Sequence, residues 1–157
     1  MGVDVCVADA AGTGVRDRSA LFRALGEAVR PDSPSAVLVV IGFEGLREYL
    51  DAASDDEADR LLAQLAGRLV ETIAGSGTIY ASRRGEFCVL CEGGLAVIRD
   101  ILALVPPQLD DVARPEGVRT SLGIALLPDE ATLPTYALAL ADRRIRALSG
   151  EIRAKVR

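Results

Sequence analysis

Chemistry in this chain has to come from carboxylates, serine, tyrosine or arginine, because the sequence contains no histidine. That absence removes the commonest general base, the commonest protein metal ligand and every histidine-dependent catalytic triad. The string SRRGEF, residues 82–87, lies between the apolar runs TIYA and FCVLC, a pattern that predicts a β-hairpin. The tip of this hairpin carries two arginines where a tight turn favours residues that tolerate a positive φ. We therefore take the tip as the first candidate site.

Two cysteines, Cys88 and Cys91, form a C-x-x-C string inside the second of these apolar runs. Redox C-x-x-C motifs open a helix, whereas residues three apart on a strand point to opposite faces of the sheet. With Cys6 the chain has three cysteines, an odd number that is too small for a disulfide framework. We therefore expect both residues of the C-x-x-C string to pack in the core.

Length and composition predict a single domain over residues 1–157, because 157 residues that are 50% apolar can bury a continuous core. The net charge of -5 argues against a nucleic-acid partner, since phosphate binding needs clustered lysine and arginine. No apolar run is long enough to span a membrane, and the first ten residues lack the pattern of a secretory signal. We expect a cytoplasmic protein that does not insert into a membrane.

Helical periodicity predicts four helices, at residues 18–29, from Ser54 onward, within 94–105 and at about 135–149. Asp17 is available as the N-cap of the first helix, and the string S-D-D-E from Ser54 is a capping box for the second. The pair Pro106-Pro107 is expected to stop the third helix. Gly150 is expected to end the fourth.

Apolar runs between these helices predict strands at residues 36–43, 78–82, 86–92 and 118–128. The run AVLVVIGF, residues 36–43, is continuous and rich in β-branched residues, which is typical of a strand buried on both faces. Residues 152–157 are a candidate edge strand, and residues 3–8, within a leading segment of residues 1–12, are a candidate extra strand or dimer contact. The order predicts an α/β (α+β) fold in which helices flank a central mixed sheet of about five strands.

Five strings in the same order and spacing resemble the motifs of one family. They are TGVRDRSAL (13–21), VLVVIGFEGL (37–46), ADRLLAQLAGRL (58–69), RRGEFCVL (83–90) and SLGIA (121–125) followed by ADRRIRAL (141–148). Together they resemble the GGDEF domains, best known as diguanylate cyclases, over the length of the chain. The resemblance implies a nucleotidyl-cyclase-like palm fold. It also places Arg83-Arg84-Gly85-Glu86-Phe87 at the family signature, in a degenerate form.

The resemblance implies that active relatives condense two GTP molecules into cyclic di-GMP with two divalent metals. An aspartate at the end of the first strand and an acidic residue at the third letter of the signature hold those metals through hard oxygen ligands. In this chain the two positions are Val39 and Gly85, and the second acidic position of the strand motif is Ile41. We therefore predict no catalytic residue, no metal site and no cofactor.

Other contacts of the family are also replaced, at Glu44, Arg47 and Ser149, and the product-binding R-x-x-D motif would fall at Ala74 and Gly77. Two positions that the resemblance assigns to the nucleotide keep a suitable side chain. These two candidates for residual nucleotide binding are Phe43 and Asp59.

The sequence therefore predicts a protein that is not an enzyme, a catalytically inactive GGDEF-like domain that serves as a protein-interaction module in bacterial signalling. The expected partner is a protein or a neighbouring signalling domain, with a homodimer as a further candidate. Arg83 and Arg84 would contact the partner, although the same pair is also typical of two solvated charges. The alternatives are a sensor of GTP or cyclic di-GMP without cyclase activity and, less favoured, an active diguanylate cyclase.

Overall fold

The computed structural model describes the backbone of residues 14–73 and 75–156, and the side chains of residues 14–73 and 75–145. Five strands form the sheet: β1 Val15–Arg16, β2 Ala36–Glu44, β3 Thr78–Arg83, β4 Glu86–Glu92 and β5 Arg119–Leu127. Five α-helices accompany them: α1 Arg18–Ala28, α2 Leu46–Ala52, α3 Asp55–Ile73, α4 Leu95–Ala113 and α5 Pro134–Val156. A short 3-10 helix, Arg114–Glu116, follows α4.

The strands form one mixed sheet in the order β1-β3-β4-β2-β5. The β1–β3 pair is parallel and the other pairs are antiparallel, so the predicted mixed sheet flanked by helices is confirmed. Strand β2 lies between β4 and β5 and is buried on both faces, as its continuous apolar run predicts. Among the described residues, no helix combines the length and apolar character needed to cross a bilayer.

Each face of the sheet has its own apolar cluster. The first joins alternate β2 residues such as Val39 and Ile41 to the buried stripes of α3 and α4. The second joins Leu38 and Val40 to α1 and α5. Because side chains alternate along a strand, one apolar run supplies both clusters.

Local capping signals position two of the helices as predicted. The Asp17 carboxylate accepts a hydrogen bond from the Ala20 amide at 2.9 Å and caps α1. At α3, the Glu57 carboxylate accepts from the Ser54 amide at 2.9 Å while the Ser54 hydroxyl accepts from the Glu57 amide at 3.2 Å. This reciprocal pair is the predicted capping box.

The prediction that Pro106-Pro107 stops the third helix is wrong, because α4 continues through both prolines to Ala113. Buried residues recur every four positions from Ile101 through Val105 and Leu109, so packing continues across the prolines. The carbonyls that lose their helical donors belong to residues 102 and 103, whose side chains are exposed, so water can satisfy them. The packing of α4 against the core therefore outweighs the tendency of the two prolines to end the helix.

The prediction that Gly150 ends the last helix is also wrong, and the expected edge strand at 152–157 is replaced by helix as far as Val156. A glycine within a helix costs only about 1 kcal/mol, so it ends a helix only when the following chain has a better conformation.

The sequence analysis missed two short elements, β1 and α2. Residues 1–12, Ala74 and the side chain of Ser149 lie outside the described residues.

Candidate functional site

The hairpin between β3 and β4 turns through two residues, Arg84 and Gly85, with Arg83 paired to Glu86 across the strands. Gly85 has a φ of +80° and supplies the left-handed conformation that the turn requires. A Cβ added to Gly85 would lie 2.6 Å from Cδ2 of Leu46, the first residue of α2. The tip therefore packs closely against the start of α2.

Arg84 projects from the turn toward α3. Its Nη2 lies 3.6 Å from Oδ1 of Asp59, and the two side chains are 58% and 75% exposed. The structure thus brings together a residue predicted to contact a partner and a residue predicted to contact a nucleotide. Since both groups are well solvated, this ion pair contributes little to stability.

Arg83 and Glu86 lie on the opposite side of the hairpin, where the contacts form a polar network. Arg83 Nε lies 3.7 Å from Oε1 of Glu86, and that carboxylate also accepts a hydrogen bond from the buried Ser82 hydroxyl. Arg18 Nη1 donates to the Ser82 carbonyl at 2.9 Å, while its guanidinium lies 4.9 Å from the ring centre of Phe22. The hydrogen bond from Arg18 therefore connects helix α1 to the end of strand β3 at the tip.

This network borders a cavity of about 250 Å³ between α1, the hairpin and α5, which Asp142 also lines. A larger cavity of about 590 Å³ lies at the other end of β3 and β4, beside Gly75 and Cys91. Size alone would select the larger one, but it holds none of the candidate site residues. We therefore place the candidate site at the tip.

Sequence reasoning missed Arg18 as a residue of this site. The signal was present, because Arg18 belongs to the TGVRDRSAL string, but nothing in the string says which part of the chain its side chain reaches. The contact joins residues 64 positions apart. Such a contact depends on the topology of the sheet rather than on the local sequence.

The C-x-x-C cysteines are core residues, as predicted. Cys88 belongs to the cluster beside α1 and α5, and Cys91 belongs to the cluster beside α3 and α4. Burial raises the pKa of Cys88 to about 12 and also raises the pKa of Cys91. Both thiols therefore stay protonated and unreactive near neutral pH.

The positions that the resemblance assigns to metal binding lie on the α3 and α4 face of the sheet. Val39 is fully buried opposite Val89 of β4, and Gly85 lies in the turn that precedes β4. Neither side chain offers an oxygen. These residues do not fit a pair of hard divalent cations. Among the described residues, no group of three or more histidine, cysteine, aspartate or glutamate side chains could hold a metal ion.

Phe43 lies near the tip on the same face. Its ring meets that of Phe87 edge to face, with centroids 6.3 Å apart. Such pairs are worth about 0.5–1.5 kcal/mol beyond the area they bury. Phe43 therefore has a packing role in addition to any contact with a ligand.

A family model for "Diguanylate cyclase, GGDEF domain" matches residues 11–154. The chain belongs to the GGDEF family. Recognition of the family from the five strings is thereby confirmed, and the match covers every element of this GGDEF domain up to residue 154. No curated protein sequence matches the chain.

Solved structures of GGDEF proteins share the fold at low identity. A sensory box/GGDEF family protein from Caulobacter crescentus is 21% identical with a TM-score of 0.67, over 88% of this chain and 95% of that one. The GGDEF domain of DgcB from Caulobacter crescentus, in complex with c-di-GMP, is 17% identical with a TM-score of 0.64 over 87% and 86%. Diguanylate cyclase SiaD from Pseudomonas aeruginosa, in complex with its activator SiaC, is 18% identical with a TM-score of 0.72 over 88% and 56%.

The prediction that the protein is not an enzyme is wrong. The family model that matches this GGDEF domain is that of an enzyme, diguanylate cyclase. The sequence interpretation gave too much weight to the replaced positions, such as Val39 and Gly85. The family match spans residues 11–154 and includes both of them.

Proposed function

We propose that this GGDEF domain acts in signalling by binding an acidic protein surface through its hairpin tip, with Arg83 and Arg84 as the contact residues. The observation that carries the proposal is the exposure of the two arginines, 69% and 58% of their side chains, at a tight turn. Among the described residues each makes a long ion pair, Arg83 to Glu86 at 3.7 Å and Arg84 to Asp59 at 3.6 Å. The pair between Arg84 and Asp59 is well exposed on both sides and therefore weak, so a partner's carboxylate can replace Asp59 at little cost. Arg83 can contact a partner while it keeps Glu86, because its own side chain is 69% exposed.

The shape of the tip supports the same proposal. The close contact between Gly85 and Leu46 and the hydrogen bond from Arg18 to the Ser82 carbonyl fix the turn from two sides. A rigid turn loses little conformational freedom when it binds, which favours affinity. SiaD, which shares the fold over 56% of its length, was solved in complex with its activator SiaC, so a protein that contains this fold can have a protein partner.

Binding of a guanine nucleotide is the second candidate function. The observation in its favour is Asp59, whose side chain is 75% exposed. Asp59 belongs to α3, the helix that packs on the same face of the sheet as Phe43. A solvated carboxylate can accept hydrogen bonds from a base. The GGDEF domain of DgcB was solved with c-di-GMP, which makes cyclic di-GMP and GTP the nucleotides to test.

Affinity capture with a matched charge control tests the first candidate. The domain carrying Arg83→Glu and Arg84→Glu is compared with one carrying Arg99→Glu and Arg143→Glu, two exposed arginines of helices α4 and α5. Both double variants change the net charge equally. We expect the tip variant to lose a protein that the wild type and the control both retain. Equal recovery by all three proteins would contradict the proposal.

Thermal unfolding with added ligand tests the second candidate, because a ligand that binds the folded state raises the melting temperature. GTP and cyclic di-GMP are each added with magnesium, and the GTP samples are also analysed for cyclic di-GMP produced. A rise that Asp59→Asn abolishes would favour nucleotide binding at this site. No rise with either nucleotide would exclude it.

A further inference from the structure

Strand β5 is an edge of the sheet, because in the described part of the chain it pairs on one side only, with β2. Its segment SLGIALL, residues 121–127, contains no charged residue and no proline. An uncharged edge without proline is a template for strand addition, and an identical segment of another copy is its simplest partner. The fold therefore needs a device that keeps this edge unpaired.

The end of the edge is occupied by Glu130, from the turn that follows β5. Its Oε1 accepts a hydrogen bond from the Leu126 amide at 2.8 Å, and its own amide donates to the Leu126 carbonyl at 2.9 Å. Glu130 thus bonds both backbone groups of one residue, as a neighbouring strand would. An incoming strand finds neither group of Leu126 available.

A second side chain covers the next position along the same edge. Arg144 of α5 donates to the Ile124 carbonyl at 2.7 Å. Residues two apart on a strand direct their backbone groups to the same side, so Ile124 and Leu126 share the outer edge. Farther along, the Thr120 amide donates to Oδ1 of Asp110 at 2.8 Å.

Glu130 and Arg144 also form an ion pair with each other. Arg144 makes two parallel hydrogen bonds to the Glu130 carboxylate, at 2.8 and 2.7 Å. The hydrogen bonds from Arg144 lower the pKa of Glu130 to about 2, so the carboxylate is charged at any ordinary pH. Forked pairs of this kind are the strongest side-chain hydrogen bonds and fix the orientation of both groups.

We propose that Glu130 and Arg144 form an edge lock that prevents β5 from pairing with β5 of a second copy of this chain. A two-fold antiparallel pair would place the same uncharged segment on both sides of the interface, which is the self-complementary arrangement that dimers favour. Removing the lock frees the Leu126 amide and the Ile124 carbonyl for that pairing. The product would be a dimer with one continuous sheet.

Sedimentation velocity over a range of protein concentrations tests the lock in the full chain. The variants are Arg144→Ala and the double variant Glu130→Ala with Arg144→Ala, and the control is Arg143→Ala, an exposed neighbour on α5. We expect the double variant to self-associate at least tenfold more tightly than the wild type, with slowed amide exchange over residues 122–126 in the dimer. The control should behave as the wild type does.

Folded variants that associate no more than the wild type would overturn the proposal. So would association that leaves amide exchange over residues 122–126 unchanged. If neither variant folds, amide hydrogen exchange in the wild type at low protein concentration tests the lock instead. Slow exchange of the Leu126 amide in the unassociated chain would support the lock, and exchange as fast as in an exposed loop would contradict it.

Discussion

At the hairpin tip, the side of the sheet that faces α2 and α3 is packed with hydrocarbon, whereas the side that faces α1 and α5 carries a polar network. Val39 and Ile41 are fully buried on the first side, and Phe87 packs there beside Phe43. On the second side, Ser82 and Glu86 are hydrogen-bonded to each other. The apolar side combines residues of β2 with Phe87 of the hairpin, whereas the polar side is built on the hairpin itself.

The packing and hydrogen bonds that hold the tip in place are therefore distinct from the side chains that the tip exposes to solvent. Val39, which the resemblance assigns to metal binding, is part of the core on the apolar side. The polar side holds the turn through the hydrogen bond from Arg18 to the Ser82 carbonyl. Arg83 and Arg84 remain exposed at the turn, which is where we propose that a partner binds.

The largest effect is expected from placing a charge on the apolar side. Val39→Asp should lower the free energy of unfolding by about 3–5 kcal/mol, because an unpaired carboxylate at a fully buried position lacks compensation. Burial raises the pKa of such a carboxyl in the folded state, so the loss should grow as the pH rises above about 4. Urea unfolding at several pH values measures this loss in the free energy of unfolding.

Val39→Thr is the control, since it has nearly the same shape and no charge. It should cost about 1–3 kcal/mol, the range for an unsatisfied buried hydroxyl, with no dependence on pH between about 4 and 8. A Val39→Asp protein as stable as the threonine variant would show that this side of the sheet accommodates charge.

A smaller effect is expected at the turn. Gly85→Ala should destabilise the domain by about 1–2 kcal/mol from its positive φ alone, with a further loss because the new Cβ meets Leu46 at 2.6 Å. Gly75 has a similar φ of +83° with nothing within 4 Å of its Cβ, so Gly75→Ala isolates the cost of φ. Equal losses in thermal unfolding would show that the contact with Leu46 contributes nothing.

On the polar side, Glu86→Ala should cost about 1–2 kcal/mol, because the buried Ser82 hydroxyl loses its carboxylate acceptor and keeps only the distant Glu86 carbonyl at 3.5 Å among the described contacts. Glu92→Ala, at an exposed position of the same strand, should change stability by less than about 0.5 kcal/mol. Chemical unfolding of the pair measures the difference. No difference between them would mean that the network does not hold the tip.

The smallest effect on stability is expected for the ion pair across the tip. Arg84→Ala, Asp59→Ala and the double variant should each lie within about 1 kcal/mol of the wild type, because both side chains are well exposed. A double-mutant cycle gives the coupling energy between them. A coupling above about 1 kcal/mol would show that the pair locks the turn onto α3 instead of leaving Arg84 available.

Local signals in the sequence predicted much of the fold and little of the site. The capping box at Ser54 and the hairpin around residues 82–87 need only neighbouring residues, and both appear as predicted. Pro106-Pro107 misled the prediction because the packing of α4 continues across both prolines. Gly150 misled it because a glycine weakens a helix without necessarily ending it.

Contacts across the sheet could not be predicted in the same way. The bond from Arg18 to the Ser82 carbonyl depends on strand β3 lying beside α1, and the approach of Gly85 to Leu46 depends on α2, which the sequence reading missed. Periodicity predicted the order of the longer elements, and the family resemblance implied the fold. Neither indicated which side of the hairpin each charged residue occupies.

The account depends most on recognition of a protein by the hairpin tip. The direct measurement is the affinity of the captured partner for the wild type and for the Arg83→Glu, Arg84→Glu variant at two salt concentrations. We expect at least a tenfold loss of affinity in the variant and a wild-type affinity that weakens as salt screens the charges. Equal affinities for the two proteins, unchanged by salt, would contradict it.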